Sequence, residues 1–470
     1  MKKTKIICSI GPASTNPDVM EKMVNAGMNV ARINFSHATL EEKQAVVASV
    51  KEVRKRTGSN VGILYDTKGP EFRNGMLEND EITLVEGNTI RVVKENVLGN
   101  SERFSVNHPQ AIDSLQVGNV ILLENGLMKM EVISCEEDGV TCKIVNGGIL
   151  GNKKSLSVPG VHLDIPFISD VDREDIIYAC KNDGDFLALS FVSTEKDVLE
   201  VREILAENNR EDLKIISKIE STTGIDNIDS IINVSDGIMV ARGDLGVEAE
   251  MEDLPILQKM IIKKCREQGK VAVVATEMLE SMKKSSRQTR AEVSDVANAV
   301  LDGTDAVMLS GETTVGKFPV ETVSYMANIC EHTEKNADFR RNFDYKKRIG
   351  LTQTISTCVV ESAEMLNSKL IVAATVSGFT ARKISNLKPN CPVLAACPDD
   401  RVCRSLALNF GVYTTHVPVL GTTDEVIDEA VKKAKEFMNL EKGDTVIVTG
   451  GFPNTGVTKT TNLMKIEEIQ

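Results

Sequence analysis

The octapeptide KIISKIES (214–221) puts a cation and an anion on one face of what otherwise reads as a buried strand. Side chains alternate along a strand, so Ile216, Lys218 and Glu220 point one way and Ile215, Ser217 and Ile219 the other. An ammonium and a carboxylate on a face that begins apolar are costly unless they pair, meet a ligand or hold a metal. Other segments share the pattern, apolar at the start and reactive at the end: Arg32, Asn34 and Ser36; Asp66 and Thr67; Ser190; Arg242 and Asp244; Thr276; Ser310 and Glu312. Glu220 and Asp244 are hard oxygen donors suited to Mg2+, which keeps several waters and accepts substrate oxygens. Arg32, Arg73 and Lys218 can surround a phosphoryl group, the guanidinium groups binding it in a forked geometry. ARGDLG (241–246) brings backbone N–H groups near the start of a segment where a carboxylate or phosphate can sit. No Ser-His-Asp or Cys-His pair is evident. The chemistry these residues suit is phosphoryl transfer by positioning and charge neutralisation. GETTVGKF (311–318) nearly spells a Walker A loop, but Phe318 stands where a hydroxyl should reach the metal, and Pro319 follows at once.

Residues so far apart need a scaffold that collects strand ends. Eight short β-rich runs are present: TKIICSI (4–10), NVARINFS (29–36), VGILYDT (61–67), DFLALSFV (185–192), KIISKIES (214–221), DGIMVARGD (236–244), VAVVATEM (271–278) and DAVMLSGE (305–312). Helical patterns lie between most of them. DVMEKMVNAG sets Val19, Met20, Met23 and Val24 on one side and stops at Gly27, and TRAEVSDVANAVLDG stops likewise at Gly303. This alternation predicts a (β/α)8 TIM-like barrel, although a doubly wound sheet has the same local pattern. In a barrel the C-terminal strand ends meet at one mouth, so the polar residues would converge there. Residues 70–165 differ in texture. Short alternating strands (EITLV, TIRVV, NVILL, KMEVIS, VTCKIV) broken by Gly, Asn and Asp predict a small inserted β-barrel able to close over the mouth as a lid. After about residue 350 a third texture begins, an open α/β domain. The expected division is therefore barrel 1–69 and 166–349, lid 70–165, and C-terminal domain 350–470.

Composition narrows the classes. The formal net charge of −13 argues against a nucleic-acid or anionic-membrane binder. No apolar stretch is long enough to span a bilayer, and the N-terminal apolar run is too short for a secretory signal. Ten scattered cysteines and five histidines do not form a disulfide framework or a zinc site, so a reduced cytoplasmic protein is expected.

The segments TKIICSIGPAS, AGMNVARINFSH, DTKGPEFRNG, KIISKIE, SDGIMVARGDLGVE, ATEMLESM, TRAEVSDVANAVLDGTDAVMLSGET and SGFTAR resemble the blocks of the pyruvate kinase family, in its order and over nearly the whole chain. The resemblance implies transfer of a phosphoryl group from phosphoenolpyruvate to ADP, with Mg2+ (or Mn2+) and K+ as cofactors. It implies that Lys218 neutralises the phosphoryl group in flight, that Arg32 grips it with Arg73 nearby, and that Glu220 and Asp244 hold Mg2+. Gly243, Asp244 and Thr276 would position the substrate carboxylate. Thr276 and Ser310 are candidates for the route that protonates the enolate. Asn34, Ser36, Asp66 and Thr67 match the potassium site, Glu71 matches the potassium-dependent form, and Asn34, His37 and Arg73 would lie near the nucleotide. In the C-terminal domain Ser377, Gly378, Phe379, Thr380 and Arg382 match a pocket for a sugar-phosphate or nucleotide effector, completed by GGFPNTGVTKTTN (450–462). Hydroxyls, backbone N–H groups and an arginine at a strand-to-helix turn suit an anion, while a plain capped helix would look the same. The resemblance further implies a homotetramer, and because the chain stops soon after that loop, the extra C-terminal domain of some bacterial members is not expected. There are departures from the family pattern: Glu124-Asn125-Gly126 where Asp-Asp-Gly is usual, Glu277 for Gln, and Glu250 and Gln288 for Pro. Two other readings stay open at this point. One is a catalytically silent, metabolite-binding relative, and the other a barrel lyase that needs no nucleotide.

Overall fold

The structure is a computed structural model that describes residues 1–36, 38–337, 339, 350–452 and 460–470. All eight β-rich runs form strands: β1 (Lys5–Ser9), β2 (Val30–Asn34), β3 (Gly62–Asp66), β4 (Phe186–Leu189), β5 (Lys214–Ile219), β6 (Gly237–Ala241), β7 (Val271–Ala275) and β8 (Ala306–Leu309). They pair in parallel in chain order, and β8 returns to β1 to close a barrel. Because side chains alternate, the barrel has two apolar surfaces. Ile6, Ile63, Ile215 and Val274 pack outward against the helices, while Ile7, Val30, Leu64, Ile216, Met239 and Val273 fill the interior. Leu408 of the C-terminal domain belongs to the interior cluster as well.

The helices start and stop where local chemistry allows. Asn16 caps helix Pro17–Ala26 by accepting from the Asp18 N–H, and Gly27, at φ 125°, ends it. Thr289 and Glu292 form a capping box at the start of helix Arg290–Leu301.

Between β3 and β4 lies an all-β insertion with its own core, including Phe104, Ile121, Met130 and Val132. Its five expected strands are present, the longest being Met128–Glu136 and Gly139–Asn146. Three more, Arg103–Ser105, Gly148–Gly151 and Leu156–Ser157, are too short to show an alternation in sequence. The strands form one six-stranded and one two-stranded sheet.

The C-terminal sheet has the order Val412–His416, Val393–Cys397, Leu370–Ala374, Thr445–Gly450, Leu463–Glu468, with only the last pairing antiparallel. The sequence reading expects its three inner strands, in KLIVAATVSG, PVLAACP and DTVIVTGG, but not the two edge strands. Buried charges join this domain to the barrel: Lys388 Nζ lies 2.5 Å from Asp305 Oδ1, and Arg404 and Arg54 both grip Asp185, at 2.9 and 3.0 Å. No helix among the described residues is long and apolar enough to cross a membrane.

Candidate active site

The interior of the barrel changes character along its axis. Following one face of each strand upward, Ile7 gives way to Ser9, Val30 to Arg32 and Asn34, Leu64 to Asp66, Ala188 to Ser190, and Ile216 to Lys218 and Glu220. Alternation carries every polar residue into the mouth once the residue below it is in the core.

These groups meet in one buried network. Lys218 Nζ lies 2.9 Å from Glu220 Oε1 and 3.4 Å from Asp66 Oδ1, and it donates to Ser190 Oγ at 2.7 Å. Arg32 donates through Nε to Asp66 Oδ2 at 2.6 Å and through a terminal nitrogen to Ser9 Oγ at 2.7 Å. Burial pushes the Asp66 carboxyl up, but Arg32 and Lys218 outweigh it and hold it below its ordinary value. Burial likewise opposes the charge on Lys218, yet Asp66 and Glu220 hold its ammonium above the usual lysine range. Glu220, 1% exposed, is pushed up to about 7, mainly by burial; neighbouring Asp244 adds to the rise, while Lys218 and the Phe191 N–H at 2.6 Å work against it. Phe191 holds that N–H in place with a left-handed backbone, φ 58°.

The remaining mouth residues join through the backbone. Gly243 N–H donates to Thr276 Oγ1 at 2.8 Å, which sets Asp244 beside the turn after β7. Ser310 follows β8, and its N–H donates to Glu312 at 2.7 Å. Asn34 and Asp66 are register partners on β2 and β3. Asn34 Oδ1 accepts the Ser36 N–H at 3.1 Å, and Thr67 Oγ1 accepts the Ser190 N–H at 3.2 Å. Four of the expected potassium ligands thus sit at two adjoining strand ends.

Above the mouth, a cleft of ≈370 Å3 runs between barrel and insertion, and Arg73, Glu220 and Asp244 line it. Arg73 makes a forked pair with Glu71 at 2.9 and 2.8 Å and also donates to the Lys153 carbonyl. Lys218, Arg32, Thr276 and Ser310 do not line this cleft; Lys218 pairs with Glu220 below it. Ser377, Gly378, Phe379, Thr380 and Arg382 belong to the separate C-terminal domain. There Thr380 pairs with Thr461 at 2.9 Å, and Arg382 turns back to the Ser377 carbonyl at 2.7 Å. His37 and most of the 450–462 loop lie outside the described residues.

Several cleft residues went unnamed in the sequence reading. Lys154 pairs with Glu124 at 2.5 Å, so the Glu124 departure has a partner within the insertion. Ser157 donates to Glu248 of helix Arg242–Glu248, and Gly160 N–H donates to Thr222 Oγ1 at 3.0 Å; these bonds join insertion to barrel. The twin lysines Lys153 and Lys154 were the only sequence signal for any of them. The pairings themselves are long-range.

A family description, "Pyruvate kinase, barrel domain", matches residues 1–323, and "Pyruvate kinase, alpha/beta domain" matches residues 353–467. This chain belongs to the pyruvate kinase family. It is 45% identical to the pyruvate kinase of Geobacillus stearothermophilus, an alignment covering all of this chain and 80% of that protein. It is 42% identical to that of Clostridium perfringens, with both chains covered in full. A crystal structure of a pyruvate kinase from Cryptosporidium parvum superposes with a TM-score of 0.92 at 41% identity, covering 99% of this chain and 96% of that one. The enzyme is accordingly a glycolytic phosphotransferase that moves the phosphoryl group of phosphoenolpyruvate to ADP, giving pyruvate and ATP.

The donor set at the mouth can be tested against the metal this family implies. Among the described residues no three His, Cys, Asp or Glu side chains cluster as a closed metal site. Two carboxylates, Glu220 buried and Asp244 exposed, fit an ion that completes its shell with water and substrate oxygens, as Mg2+ does.

Proposed function

We propose that the mouth of this barrel carries out the transfer with Lys218 and Arg32 as the phosphoryl clamp. The observation that carries this reading is the placement of the Lys218 ammonium 2.9 Å from Glu220 in a buried network. Low local polarity strengthens each charge interaction and lets the two cations act on the negative charge of the migrating group. Glu220 and Asp244 would hold Mg2+, with Mn2+ an acceptable substitute; the ion supplies charge neutralisation on phosphoryl and enolate oxygens. Gly243 N–H, Asp244 and Thr276 orient the substrate carboxylate. Thr276 and Ser310 are the candidates for the route by which the enolate carbon gains its proton, and Arg73, Asn34 and His37 would meet the nucleotide. Asn34, Ser36, Asp66 and Thr67 would hold K+, the buried Asp66 charge favouring a monovalent cation.

The same reading divides the chain into barrel (1–69 and 166–349), lid (70–165) and C-terminal domain (350–470), and makes the enzyme a cytoplasmic homotetramer. A sugar-phosphate or nucleotide effector would bind at Ser377, Gly378, Phe379, Thr380 and Arg382. In support, one Arg382 guanidinium nitrogen is buried beside Gly378 with no hydrogen-bond partner among the described residues.

Pyruvate formation followed through lactate dehydrogenase tests the catalytic assignment. Turnover should require ADP, Mg2+ and K+ together, and fructose 1,6-bisphosphate, AMP or ribose 5-phosphate should shift the phosphoenolpyruvate titration. No turnover under these conditions would favour a silent metabolite-binding relative, and turnover without ADP would favour a lyase.

A further inference from the structure

The turn that follows β7 is held in an unfavourable shape. Thr276 and Glu277 both have left-handed backbones, φ 70° and 53°, and for a β-branched residue such as threonine this is a true outlier. Strain of this kind persists only where surrounding groups over-determine it. Two side chains do so here. At the entrance, Arg242 donates to the Thr276 carbonyl at 2.7 Å and is itself anchored by Asp295 at 2.7 Å. At the exit stands Glu312, inside the near-Walker stretch and in the short helix Gly311–Thr314. It is 1% exposed, and its two oxygens are divided between two strand ends: Oε1 accepts the Leu279 N–H at 3.1 Å and Oε2 the Ser310 N–H at 2.7 Å. The side-chain partners seen for this carboxylate are backbone N–H groups, an expensive way to bury a charge unless the position matters.

We propose that Glu312 is a positioning residue for the phosphoryl-transfer site, tying the strained Thr276–Glu277 turn to the Ser310 turn so that both face the same substrate carbon. The inference rests on the assignment of Thr276 and Ser310 given above. Both oxygens must accept, because each meets an N–H. A glutamine would turn an NH2 toward one of those donors, and an aspartate is too short to span both. Either change lets the turn after β7 relax toward an ordinary conformation and moves the Thr276 hydroxyl.

The test compares Glu312→Gln, Glu312→Asp, Thr276→Val and the double variant Thr276→Val/Glu312→Gln in the full-length enzyme. Readouts are kcat, KM for each substrate, and exchange of pyruvate C3 protons with deuterated solvent in the presence of ATP and Mg2+. Losing one of two anchoring hydrogen bonds should raise the KM for phosphoenolpyruvate and slow exchange by about 5- to 10-fold each, leaving the KM for ADP within about 2-fold. In the Thr276→Val background, Glu312→Gln should add less than about 2-fold, the mark of two residues acting through one group. A role in stability alone would lower the amount of active enzyme, and so kcat, without moving either KM. Unchanged phosphoenolpyruvate KM and exchange rate in both Glu312 variants, with Thr276→Val impaired, would overturn the positioning role only. The same null result in Thr276→Val as well would remove the assignment of Thr276 and this inference with it. If Glu312→Gln does not fold, Glu312→Asp carries the comparison.

Discussion

Replacing Lys218 by methionine keeps the length of the side chain and removes its charge. In the structure that charge lies 2.9 Å from Glu220 and 3.4 Å from Asp66, and its hydrogen bond to Ser190 fixes its position. Two unit charges about 3 Å apart at an effective dielectric of about 20 interact by roughly 5–6 kcal/mol. The phosphoryl group in flight spreads its charge over three oxygens, so a single ammonium recovers only part of this, about 4–5 kcal/mol. That corresponds to a fall in kcat of roughly 1,000- to 5,000-fold. Substrate affinity should suffer far less, because Arg32 and the Gly243–Thr276 turn remain. Lys218→Met is to be assayed by the coupled pyruvate reaction and by calorimetric titration with phosphoenolpyruvate, with a thermal melt to confirm that it is folded. A folded variant with kcat within about 10-fold of the parent enzyme would remove Lys218 from the mechanism.

Three further outcomes follow from the packing. Burial pushes the Lys5 ammonium down to about 7, with Lys2 adding to the effect and Glu334 opposing it. An unfolded chain keeps that proton up to about pH 10.4, so from pH 7 upward the unfolded state binds more protons and stability rises, by up to about 1.4 kcal/mol per pH unit. Lys5→Met should abolish this slope in urea unfolding between pH 7 and 9; parallel curves for the two proteins would count against it. Arg404→Met strips Asp185 of one of its two arginines at the junction of barrel and C-terminal domain and should cost about 3 kcal/mol, whereas a loss below about 1 kcal/mol would mean the junction does not depend on the pair. Gly69 has φ 71°, and a Cβ there would lie 2.7 Å from the Ser190 carbonyl oxygen. Gly69→Ala should therefore destabilise by about 2 kcal/mol and, by displacing the residue that orients Lys218, lower kcat; unchanged melting and turnover would refute the steric argument.

Much of the fold was legible because it obeys period rules. The barrel strands are buried on both faces, and each leaves a dense apolar run ending in polar residues. The edge strands VYTTH and LMKIEE were missed because their side chains are half exposed, so neither strand carries a strong apolar signal. The carboxylates Glu220 and Asp244, proposed to hold Mg2+, were readable as residue chemistry. Phe191, whose N–H helps hold Glu220, was not, because a left-handed phenylalanine leaves no mark on the sequence. GETTVGKF shows the converse. It opens as a short helix, Gly311–Thr314, and its Glu312 accepts backbone N–H groups of Leu279 and Ser310.

By itself the sequence determined which face each side chain takes: alternation sets Lys218 and Glu220 on the side that Ile216 buries, wherever the strand is packed. Only closure of the barrel decided what they meet there. Ser190 from β4's end and Asp66 from β3 reach Lys218, and Arg32 from β2 reaches Asp66, because eight short strands wrap into a cylinder whose interior is too narrow to keep those charges apart or let water screen them.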